Sequence, residues 1–78
     1  MKIKLPLSIY TMQSIVAGRK AFKQYLKVDV ERDNDTVNLG ICVAGKYDHD
    51  ERREIINSFL NYLLQYSHAT SNTVGEGG

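Results

Sequence analysis

Three groups of residues in this 78-residue chain carry side chains capable of chemistry. Asp48, His49 and Asp50, with His68 further on, offer the oxygen and imidazole donors of a metal site. Consecutive residues point apart, however, and no second His or Cys stands at ligand spacing beside them. Asp48 therefore reads as a helix cap and His68 as a cation near a helix end. Cys42 and His49 could serve as nucleophile and base, but no orienting acid and no oxyanion element accompanies them. Cys42 reads instead as a small residue on a sheet face. Arg19, Lys20, Lys23 and Lys27 could meet a phosphate backbone as a small nucleic-acid-binding domain would. The net charge is only +1, and no aromatics are set out for base stacking, so these cations read as the solvated side of a helix. No catalytic residue, metal site or cofactor emerges, and the expectation is a protein that is not an enzyme.

The elements that would position these groups follow from periodicity. Ile3, Leu5, Leu7 and Ile9 share one parity, and Lys2, Lys4, Pro6 and Ser8 the other, which is the pattern of a half-buried strand. Thr11 can cap a first helix, whose Met12, Ile15, Phe22, Tyr25 and Leu26 recur at helical spacing to about residue 26. Gly18 inside it costs about 1 kcal/mol relative to alanine, which close packing against the sheet would explain. Lys20, Lys23 and Lys27 fall together on that helix, with Arg19 at the border of its apolar stripe. Val28 and Val30 alternate with Asp29 and Glu31 in a second strand. Asp33, Asn34 and Asp35 form a turn, and Val37, Leu39, Ile41 and Val43 give a third strand, so a hairpin is expected. Asp48 and Glu51 have capping-box spacing and open a long second helix to about Ser67.

The fold class expected is α+β with βαββα order, a three-stranded sheet bearing two helices on one face. A right-handed crossover makes the first two strands parallel. The third strand then lies between them, in the split βαβ arrangement of a truncated ferredoxin-like unit, or beyond the second. Either way the first strand is an edge, where Pro6 loses no ladder bond if its side faces solvent. Residues 1–68 make one domain, and the glycine-rich 69–78 reads as a disordered tail. A core this small is near the lower limit for independent stability, and a partner would help it.

The second helix bears on function. Ile56, Phe59, Leu63 and Tyr66 form one stripe, Ile55 and Tyr62 widen it, and Leu60 and Leu64 extend it on the other side. The apolar surface covers about half the circumference, wider than the roughly 100° that one core requires. Packing on the first helix uses part of that width. Leu60, Leu64 and the first-strand edge at Lys4 and Pro6 are the candidate surface for a partner, or for a homodimer. At 42% hydrophobic and 24% charged residues the composition is that of an ordinary globular chain. A single cysteine excludes an internal disulfide, and no apolar run approaches the roughly 20 residues of a membrane span. Met1 leads directly into the first strand with no signal-peptide pattern, so a cytoplasmic protein is expected.

Certain stretches also resemble a known family. LPLSIYTMQSI, a lysine-rich helix ending in an aromatic, Val28-Asp29-Val30-Glu31, a short acidic turn, Val37-Asn38-Leu39 and the closing EIINSFLNYLLQ together look like the small HxsD-like accessory proteins of His-Xaa-Ser peptide-maturation systems. The resemblance covers nearly the whole chain up to the tail. It implies a cytoplasmic accessory protein working beside a radical-SAM enzyme that modifies a ribosomally made peptide, presenting the substrate or bridging subunits. It supplies no catalytic residues. The chain has no His-Xaa-Ser repeat of its own, so it is not expected to be the modified peptide.

Overall fold

A computed structural model describes the backbone of residues 1–77 and the side chains of residues 1–69. The elements run β1 (Lys2–Pro6), α1 (Met12–Ala21), β2 (Leu26–Asp33), β3 (Thr36–Val43) and α2 (His49–Gly77). The chain is an α+β fold of βαββα order, with a three-stranded sheet ordered β1-β3-β2. Both outer strands run antiparallel to β3 and are therefore parallel to each other. This is the split arrangement, and it leaves β1 at an edge.

Burial follows the strand parities. Leu5, Leu26, Val28, Val37, Leu39 and Ile41 are buried on one face of the sheet, against Ile15 of α1 and Phe59 and Leu63 of α2. The β hairpin closes on Asn34 and Asp35, between the paired Asp33 and Thr36. Asn34 takes φ 54°, a left-handed conformation that asparagine tolerates better than most residues.

Local chemistry sets the helix starts. Thr11 caps α1 by accepting the Ser14 N–H on Oγ1 at 3.1 Å. At α2 the capping box forms in full. The Glu51 N–H donates to Asp48 Oδ1 (2.8 Å), and the Asp48 N–H donates to Glu51 Oε1 (3.0 Å).

Several boundaries differ from the sequence expectation. β1 ends at Pro6, not Ile9, because the Pro6 carbonyl accepts the Ile9 and Tyr10 N–H groups and turns the chain. Ile9, although of the inward parity, is 53% exposed. α1 ends at Ala21, not near residue 26. Phe22 is its C-cap, and the Tyr25 and Leu26 N–H groups fold back onto the Phe22 carbonyl. This turn sends the Phe22 ring edge-on to Phe59 and Tyr62 and Leu26 into β2, so tertiary packing overrides the helical period. α2 continues past Ser67 to Gly77; the added residues include no proline to stop it, although Ser71, Asn72, Thr73, Gly75 and Gly77 are poor helix formers. The tail expected over 69–78 falls largely on residues 70–78, whose side chains lie outside the described residues.

Gly18 also has a different role from the one expected. A Cβ there would stand 2.6 Å from Leu63 Cδ2 and 3.0 Å from Phe59 Cε1. The close approach that requires glycine is between the two helices, not between helix and sheet.

Candidate functional site

The first strand has a free side, and its hydrogen bonds define it. Met1 exchanges two backbone bonds with Ile41 (2.9 and 2.7 Å), and the Leu7 N–H donates to the Asp35 carbonyl at 2.8 Å. Backbone groups alternate direction along a strand, so Ile3 and Leu5 bond to β3 and those of Lys2, Lys4 and Pro6 face outward. Lys2 and Lys4 thus present two N–H and two carbonyl groups that no other strand pairs among the described residues. Pro6 has no N–H to offer, and its carbonyl is committed to the turn. The side chains of Lys2 and Lys4 lie on the sheet face that the helices leave uncovered.

The second helix packs against α1 and β3, and its first turns and Ser67 reach the chain just before and just after β1. At its start, Arg53, Ile56 and Asn57 line a groove of about 470 Å³ together with Met1. Further along, the Thr11 N–H donates to Ser67 Oγ at 2.9 Å. These two anchor points place residues 53 to 67 alongside residues 1 to 11. From Arg53 to Leu64 the helix rises about 16 Å, close to the length of a five-residue strand. Leu60 and Leu64 follow Arg53 and Asn57 in one helical row, on the β1 side. Leu60 is half-buried against the core, and Leu64 is 42% exposed.

The expected apolar stripe of α2 needs one correction. Phe59 and Leu63 are fully buried, but the stripe continues through Ser67 and not through Tyr66, which is 39% exposed and stacks near Tyr62. A sequence reading for apolar period cannot find Ser67, because its burial depends on the bond to Thr11. Its position is the signal the sequence leaves, since Ser67 stands four residues after Leu63 and eight after Phe59, in line with the buried row.

The open face of the sheet holds a second groove, of about 510 Å³. Across it the register aligns Lys2, Gly40 and Asp29, and next to them Lys4, Asn38 and Glu31. The face is thus basic along β1, small and neutral along β3, and acidic along β2.

The remaining candidates are dispersed. Arg19, Lys20 and Lys23 gather around the exposed Val16 on the outer side of α1 and its following turn. Lys27 is not with them as expected: α1 has already ended, and Lys27 pairs with Cys42 on the open face of the sheet. Cys42 is exposed there, whereas His49 is the exposed first residue of α2 in the other layer. Among the described residues no three His, Cys, Asp or Glu side chains come together as a metal site. No helix among them is long and apolar enough to cross a membrane. No protein-family model, curated protein or solved structure matches the chain.

Proposed function

We propose that this chain is a non-enzymatic accessory module that holds a partner protein or peptide along the free edge of β1, under the flank of α2. The observation that carries the reading is the coincidence of two unsatisfied surfaces. Leu64 stays 42% exposed on the helix row that overlooks an edge whose Lys2 and Lys4 backbone groups lack a strand partner. A strand added there would extend the sheet by main-chain hydrogen bonds while the helix covers its inner face. Pro6 limits the docking ladder to the first part of β1, which also protects the edge from indiscriminate pairing.

The partner proposed is a radical-SAM enzyme of a peptide-maturation system or the peptide it modifies, in the cytoplasm. What supports this is the sequence resemblance together with a surface suited to binding an extended chain. Affinity capture from the native lysate tests it, with Leu64→Glu as control. Recovery of such an enzyme or its peptide, lost with Leu64→Glu, is the expected result. Recovery of this chain alone would replace the adaptor by a self-associating domain, and equal recovery by Leu64→Glu would remove this flank from the interface.

A further inference from the structure

We propose that the segment bound at the β1 edge is an acidic extended strand, in which carboxylate side chains alternate with apolar ones. This rests on the edge reading above and adds the chemistry of the occupant. The first argument is parity. Lys2 and Lys4 turn their backbone groups outward and their side chains to the open face, so the residues set beside them in an added strand share that face. Opposite charges there stabilise the pairing, and like charges oppose it. The intervening residues of the added strand must point to the helix layer, where Leu60 and Leu64 lie. They are therefore apolar.

A second argument comes from the groove at the start of α2. Its lining is Met1, His49, Arg52, Arg53, Ile56 and Asn57, with basic groups and no carboxylate. With Lys2 and Lys4 this makes the N-terminal part of the edge cationic, and an acidic strand is drawn to it there. The same groups disfavour a second copy of β1, since antiparallel pairing of two such edges would set lysines against lysines.

The far edge of the sheet shows that the required pattern is compatible with this architecture. In Val28-Asp29-Val30-Glu31, the valines face the helices and the acids face the open side. An incoming strand of the same pattern would reproduce that layering at β1. The ladder it finds is short: the N–H and carbonyl of Lys2 and of Lys4 are four groups, and Pro6 ends it.

The test is titration of the ¹⁵N-labelled full chain with three capped synthetic peptides. One alternates Val with Glu and Asp, one has Lys at the acidic positions, and one has the first composition with its acids grouped in a block. The alternating acidic peptide is expected to shift the Lys2 and Lys4 amides and the signals of Leu60 and Leu64, and to bind at least about tenfold more tightly than either other peptide. Its binding should weaken with added salt. In Lys4→Glu the preference between acidic and basic peptides should shrink or reverse. Equal binding of the acidic and basic peptides at this edge would overturn the charge assignment while leaving the edge as a docking site. No shift at Lys2 and Lys4 with any peptide would overturn both. Concentration-dependent broadening of the β2 and β1 amides without peptide would assign the edge to a second copy of this chain, and would likewise overturn the proposal.

Discussion

The two flanks of α2 are made of similar residues and lead opposite lives. On the side toward α1, glycine in place of any side chain at Gly18 lets Phe59 and Leu63 approach, and Phe22 meets Phe59 and Tyr62 edge-on with ring centroids 5.5 and 5.7 Å apart. On the side toward β1, Leu60 is only half-buried and Leu64 stands over a strand edge with nothing beside it among the described residues. The difference is one of supply. The fold has a second helix to satisfy the first flank, and among the described residues it has no fourth strand to satisfy the second. Stability should therefore reside on one flank and recognition on the other.

Substitutions can break that division in a graded series. Leu63→Ala removes a fully buried side chain that packs with Phe59 in the core, and should cost about 2–5 kcal/mol, enough to unfold much of so small a domain. Urea unfolding followed by circular dichroism measures it. Gly18→Ala sets two effects against each other. Alanine gains about 1 kcal/mol of helix propensity, whereas its Cβ must displace a leucine that is wholly enclosed, an overpacking cost of about 1–3 kcal/mol. A net loss is expected in the same measurement, and a stabilised variant would show that the helices can separate freely.

Smaller effects sharpen the comparison. Asp48→Ala removes one half of the reciprocal cap and should cost about 1 kcal/mol, with little change in partner binding because the cap lies ahead of the row from Arg53 to Leu64. Binding that fell in proportion to the loss of cap would instead indicate that the docking flank is held by the first turn. Leu64→Glu should change stability by no more than about 0.5 kcal/mol, as expected for a substitution at an exposed site away from the core.

Elements whose structure depends on local chemistry were legible in the sequence. The capping box of Asp48 and Glu51, the Thr11 cap and the alternation of β2 and β3 stand as read, and the expected turn forms at Asn34 and Asp35 with Asp33 still paired in β2. The order β1-β3-β2 was one of two that the handedness of crossovers left open, and only the pairing of β1 with β3 decides between them. The errors lie where distant residues overrule a local period. Ile9 keeps the strand parity of β1 after Pro6 has already turned the chain, and Lys27 keeps the helical spacing of Lys20 and Lys23 while belonging to β2. Gly18 announced a close approach, but a lone glycine does not say whether sheet or helix approaches it. Of the candidate site, the excess width of the α2 stripe and the edge position of Pro6 were both readable. That Leu60 and Leu64 flank that same edge was not, because it depends on how α2 lies along β1 between Met1 and Ser67.

The most direct test of the division between the flanks is the thermal unfolding midpoint of Leu64→Glu, measured beside that of Leu63→Ala. One kcal/mol shifts the midpoint of a domain this size by about 4–8 °C. The account predicts that Leu64→Glu unfolds within about 4 °C of the unaltered protein while Leu63→Ala falls by at least about 8 °C. A comparable fall in both would contradict it, because Leu64 would then be part of what holds the fold together and not a surface kept for a partner.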